Sequence, residues 1–121
     1  MLISEVSEKT GLPISTLRYY ERRGILQPQK NASGYRNYCD TDIAWIEFIQ
    51  RLLEIGMPLN QVKEYSRLRQ QGDTTIPDRL KLLHQQKTLL AQQQTKITSE
   101  IDFLDRKINT YNTMLCERIR K

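Results

Sequence analysis

Cysteine and histidine are scarce in this chain, with two Cys and one His in 121 residues. Cys39 and Cys116 are too far apart to suggest a disulfide framework. With His84 they are scattered rather than clustered, so no metal-ligand spacing and no cofactor motif emerges. A Gly-rich phosphate loop is missing, as is any pairing of a nucleophile with a base, and an enzyme is therefore the least supported class. No apolar run approaches the roughly 18 to 20 residues of a membrane span. The N-terminus also lacks the basic then apolar layout of a signal peptide. These absences predict a cytoplasmic protein with no membrane partner.

Positive charge is what the chain does have. The formal charge is +5 and the pI about 9.4, which favours an anionic partner without naming it. Residues 1–75 carry only +1 and residues 76–121 carry +4. The local distribution is more telling. Between Arg18 and Arg36, five basic residues (Arg18, Arg22, Arg23, Lys30 and Arg36) stand against Glu21 alone.

That basic stretch has a layout. Ser15 is placed to cap a short helix in which Leu17 and Tyr20, with Ile14 before them, have the spacing of a buried stripe. Thr16, Arg18, Tyr19, Arg22 and Arg23 are left off the core side, and Gly24 ends the helix. Guanidinium forks, a hydroxyl and a phenol on one surface suit phosphate oxygens and base edges. An earlier amphipathic segment at residues 4–10, with Ser4 as cap and Val6 inward, closes at Gly11. Leu12, Pro13 and Ile14 make the short turn of a helix-turn-helix. After a polar turn at Asn31, Ser33 and Gly34, the run Gly34-Tyr35-Arg36-Asn37-Tyr38 alternates as a strand should.

The sequence TLRYYERRGIL at 16–26, followed by GYRNY at 34–38 and GMPL at 56–59, resembles the signature of the MerR family of bacterial transcription regulators. WIEFI at 45–49 and QQGD at 70–73 make the short NmlR and AdhR branch the nearest likeness. That branch commonly carries a reactive cysteine on its third helix, where this chain has Arg51. The resemblance implies a sequence-specific regulator that binds a palindromic promoter operator as a homodimer, distorts the duplex and meets RNA polymerase there. It also implies a small-molecule effector such as an electrophile. Cys39, close in sequence to Arg36, is a substitute thiol on that view and otherwise a small residue before a helix cap.

From side-chain chemistry and the family match together, Arg18 with Thr16 beside it is assigned to the groove. Tyr19, Arg22, Arg36 and Tyr38 are assigned to phosphates, with Lys30 at the wing tip and Ser15 and Tyr35 completing the DNA-binding set. Alternation on so short a strand leaves it open whether Tyr35 turns into the core.

Beyond the wing, Asp40 is a candidate cap for a third helix with Ile43, Ile46, Ile49, Leu52 and Leu53 as its apolar stripe. Pro58 opens a fourth, with Leu59, Val62, Tyr65 and Leu68 at helical spacing and Asn60 and Gln61 in an exposed first turn. From Ile76 to Ile119 the chain has a heptad pattern. Its a and d sites include Leu80, Leu83, Leu90, Ile97, Ile101, Leu104, Ile108 and Leu115, interrupted by Lys87 and Gln94. A helix of this length must bury its stripe on another helix, and a second copy is the natural source. The family likeness implies antiparallel pairing. Leu82, Leu89 and Phe103 fall on position c, where they can pack against the third and fourth helices. The expected architecture is thus dominated by α-helix: a winged helix-turn-helix head with a small β-wing over residues 1–72, then a long C-terminal dimerisation helix, an antiparallel coiled coil, over 73–121. A coiled-coil adaptor with a basic head is the rival reading, and it leaves the ordered helix, turn and wing unexplained.

Overall fold

The structure is a computed structural model that describes residues 1–120, the last by its backbone alone. Lys121, the final residue of the expected coil, lies outside the described residues. In chain order the elements are α1 (Ile3–Thr10), α2 (Ile14–Arg22), β1 (Gln29–Lys30), β2 (Arg36–Asn37), α3 (Asp40–Glu54), α4 (Leu59–Gln70), a single 3-10 turn (Asp73–Thr75) and α5 (Ile76–Arg120). The expected mostly helical architecture with a small wing and a long last helix is what forms.

Helix starts differ from the sequence expectation. Leu2, Pro13 and Cys39 occupy the cap positions of α1, α2 and α3, so Ser4, Ser15 and Asp40 lie inside their helices and do not cap them. Proline explains the α2 case. Its fixed φ suits the position before a helix, and the N–H it lacks would find no helical partner there. At α3 the capping work falls to Asp42, whose Oδ2 accepts from the Cys39 N–H at 2.9 Å.

Two compact units divide the chain, residues 1–86 and residues 87–121. The first is built on one core that includes Val6, Leu17, Tyr20, Ile25, Leu26, Tyr38, Trp45, Ile46, Ile49, Leu52, Met57 and Val62. Trp45 is a core residue. Its Nε1 donates to the Ile25 carbonyl at 2.8 Å and its ring stacks on Tyr65 with centroids 5.8 Å apart. Ser66, fully buried, donates to the same carbonyl at 2.8 Å. Side chains of α3 and α4 thereby fasten the segment that follows α2.

This unit extends past residue 72, where the sequence places the domain boundary, because the first turns of α5 belong to it. Leu82 and Leu83 pack against the core and Gln86 Nε2 donates to the Ile55 carbonyl at 2.7 Å. Leu83, assigned to the dimer seam, therefore spends part of its surface inside the head. Thr75 and Arg79 make the elbow between α4 and α5. The Thr75 hydroxyl donates to the Leu68 carbonyl at 2.6 Å, and Arg79 donates to Thr75 Oγ1 at 3.1 Å and to the Gly72 carbonyl at 3.0 Å. The Leu68 and Gly72 carbonyls, which already accept from the Gln71 and Thr75 N–H groups, each gain a side-chain donor in this way.

The second unit is helix α5 beyond Gln86. Along it Leu90, Ile97, Ile101, Leu104, Ile108, Tyr111 and Leu115 are all exposed, as are Leu89 and Phe103 of the c face. Thr95, Thr110 and Thr113 turn their hydroxyls back onto carbonyls four residues earlier.

Candidate nucleic-acid interface

The wing is set by a local hydrogen-bond pattern. Asn31 Oδ1 accepts from the backbone N–H groups of Ser33 and Tyr35, both at 3.0 Å, and Gly34 N–H donates to the Asn31 carbonyl at 3.0 Å. Gly34 takes φ +81, a conformation that a residue with Cβ adopts only under strain. The turn closes an antiparallel ladder in which Gln29 faces Asn37 and Lys30 faces Arg36. Two cations directly opposite one another repel unless an anion lies near them.

At its base the wing is tied down twice. The Met1 amino group donates to Asn37 Oδ1 at 3.0 Å and to the Tyr38 carbonyl at 2.7 Å, while the Tyr38 N–H donates to the Met1 carbonyl at 2.8 Å. On the other side Glu21 of α2 accepts from the Tyr38 hydroxyl and pairs with Arg36 Nε.

Tyr38, assigned to phosphates from the sequence, is 1% exposed, and its hydroxyl is committed to Glu21, so it stands behind the groove and not in it. Burial, and then the hydrogen bond to Glu21, push that hydroxyl well above its ordinary value of 10.0. Strand alternation runs the other way from the doubt over Tyr35, which stands 67% exposed.

Two adjoining hollows lie between α1, α2 and the wing. One, of about 260 Å³, is lined by Leu2, Ile3, Ser4, Arg18, Tyr35 and Arg36. The other, of about 300 Å³, is lined by Arg18, Glu21, Arg22 and Arg36. Arg18 and Arg36 border both, so residues 18 apart in sequence converge on one groove. Arg18, Arg22, Tyr35 and Arg36 are thus brought together. Ser15 and Thr16 sit in the first turn of α2 and line neither hollow, and Lys30 joins the group only as the ladder partner of Arg36. Tyr19 is partly buried against the core and carries the Arg23 guanidinium 5.2 Å above its ring. It reads as a support for Arg23 more than as a free phenol.

A separate hollow of about 270 Å³ joins the end of α2 to α4. Its lining includes Arg23, Gln27, Asn60, Lys63 and Arg67. Asn60 of the expected first turn is there, with Arg23 of the basic stretch and with Lys63 and Arg67, which the sequence reading passed over. Sequence reasoning also passed over Glu21, although its standing as the one acid in the basic stretch was a visible signal. Among the described residues no cluster of His, Cys, Asp and Glu could hold a metal ion, and no helix is long and apolar enough to cross a membrane.

Two helices joined by a three-residue turn, a two-stranded wing beside the second helix and a groove bordered by arginines define a helix-turn-helix regulator. Residues 1–68 match the MerR HTH family regulatory protein model, and residues 43–110 match the MerR DNA-binding model. The chain belongs to the MerR family. It is 39% identical over 93 residues to the HTH-type transcriptional regulator AdhR of Bacillus subtilis, covering 76% of this chain and 66% of that one. An HTH-type transcriptional regulator of Haemophilus influenzae is 30% identical over 89% of this chain and 81% of its own length. Among solved structures it is similar to HiNmlR, a MerR family regulator lacking the sensor domain, bound to promoter DNA. That match has a TM-score of 0.73 and 29% identity, and covers 93% of this chain and 90% of that one. Each of these relatives is a transcriptional regulator by name.

Proposed function

We propose that this protein binds a palindromic promoter operator as a homodimer and regulates transcription there from the cytoplasm. The observation that carries the reading is the groove between α2 and the wing, where Arg18 and Arg36 border two adjoining hollows. Arginine presents a planar fork of donors, so Arg18 suits base edges in the major groove and Arg36, with Arg22, suits the flanking phosphates. Lys30, Tyr35, Ser15 and Thr16 complete the contact set. HiNmlR, similar in fold, is bound to promoter DNA, which supports duplex DNA as the partner.

Pairing follows from α5. Leu80, Leu90, Ile97, Ile101, Leu104, Ile108 and Leu115 are exposed along a regular seam in the single chain, and Leu83 is partly buried. A second copy, antiparallel, covers that seam. Lys87 and Gln94 interrupt it and disfavour shifted registers. Two heads on one coil then match two half-sites, and the regulator acts by bending and untwisting the promoter so that RNA polymerase engages it. Its effector is an electrophile or a related small molecule.

The test is a selection of duplexes from a randomised DNA library, followed by mobility-shift titration of the enriched sequence. Arg18→Ala is expected to weaken binding about tenfold or more, since one bidentate base contact is worth about 1–3 kcal/mol, and Arg36→Ala to weaken binding to every sequence with a salt slope shallower by about 0.9. Mutants that bind the enriched duplex as tightly as the parent remove the assignment.

A further inference from the structure

An acid stands inside the basic groove. Glu21 lines the hollow shared with Arg18, Arg22 and Arg36, and its side chain is only 9% exposed. Its carboxylate oxygens are divided between two donors, with Oε1 accepting from the Tyr38 hydroxyl and Oε2 paired with Arg36 Nε. A carboxylate placed where phosphates approach disfavours DNA of every sequence alike. Its use must therefore lie in what it holds.

Behind Glu21 stands Tyr38, a fully packed core residue, so the carboxylate is fixed from the interior and not by solvent. In front stands Arg36, half exposed, with its Nε engaged by Glu21 and its side chain bordering both hollows. An ion pair between two mobile surface chains fixes little, because each loses rotamer freedom for a screened attraction. Here one partner is already immobile, and the orientation of the core is passed through Glu21 to the guanidinium. Glu21 also offsets the repulsion between Arg36 and Lys30 across the ladder.

We propose that Glu21 is a specificity-determining positioning residue: it sets the Arg36 fork in one orientation on its flanking phosphate, which fixes the register in which Arg18 meets the bases, and by its charge it lowers affinity for DNA of arbitrary sequence. The proposal rests on the groove being the DNA-binding face. It makes the specificity ratio, not the affinity alone, the quantity that Glu21 controls.

The experiment uses the full chain, the duplex enriched from a randomised library by the parent protein, and a duplex of equal length and scrambled sequence. Glu21→Gln keeps a carbonyl that can accept from Tyr38 but loses the charge. Affinity for the scrambled duplex is expected to rise about threefold to tenfold near 0.1 M salt, with the log-log salt slope steeper by about 0.9, one additional phosphate contact. The ratio of enriched to scrambled affinity is expected to fall about tenfold. Tyr38→Phe leaves the charge and loosens the carboxylate, so it lowers the ratio without steepening the slope. In an Arg36→Gln background, Glu21→Gln should no longer change the ratio. Equal loss on both duplexes, with an unchanged ratio and slope, would overturn the proposal and reduce Glu21 to a scaffold residue. If the parent protein enriches no duplex at all, the DNA-binding reading fails first. If it does and Glu21→Gln keeps the parental ratio, only the role of Glu21 fails.

Discussion

Ile25, three residues past the end of α2, has a carbonyl that receives two buried donors, Trp45 Nε1 and Ser66 Oγ, each at 2.8 Å. Removing either leaves the oxygen one partner, and removing both leaves it none. Ser66→Ala should cost about 1 kcal/mol, the net worth of one ordinary intramolecular hydrogen bond. Trp45→Phe should cost more, about 2–3 kcal/mol. It also loses part of the stack on Tyr65 and of the contact with the Arg69 guanidinium, 4.4 Å from the ring. The double mutant orphans a buried carbonyl, which adds a desolvation penalty of about 1–3 kcal/mol beyond the sum of the singles. A coupling free energy of that sign is the signature of a shared acceptor. The chain has one tryptophan, so fluorescence is lost in half the cycle. Amide hydrogen exchange along α3 reads the opening free energy of the head in all four proteins without it. Losses additive to within about 0.3 kcal/mol would mean that the two donors are energetically independent, and would refute the reasoning.

The phenols predict an alkaline limit. Burial raises the hydroxyls of both Tyr20 and Tyr38 above 10.0, with Tyr19 and Glu21 respectively adding to the effect. Unfolded phenols ionise near pH 10 while these keep their protons. Their contribution is thus complete below about pH 10 and drains away as pH rises above it. Tyr38→Phe should flatten the fall in melting temperature above that point, and parallel pH profiles for mutant and parent would contradict the assignment. On α5, Ile101 is 52% exposed in the single chain and occurs twice in a C2 pair. Ile101→Asp puts two carboxylates into the seam and should give monomers by sedimentation at about 10 µM, since a buried unpaired charge costs several kcal/mol. A persistent dimer would place the interface elsewhere.

Periodicity and punctuation made most of the architecture legible in the amino acids themselves. Gly11 and Gly24 end two helices, Asn31 and Gly34 shape the wing, and the heptads from Ile76 onward predict a helix that spans 45 residues. Each of these depends on interactions within a few residues along the chain, and local chemistry is what a sequence states directly. The same is true of the arginines at 18, 22 and 36, whose hydration keeps them at the surface in almost any fold.

Contacts between distant residues were decided only by the tertiary structure. Tyr35 and Tyr38 are alike in type and three positions apart, yet one is exposed and the other buried. The difference is that Tyr38 meets Met1 and Glu21 where three segments converge. Ser66 and Thr75 read as ordinary polar residues until buried carbonyls are placed beside them. Glu21 appeared in the charge count as a subtraction. The tertiary structure lays its carboxylate between a core phenol and a groove arginine, because α2 and the wing pack side by side, and an arrangement of that kind has no period along the chain.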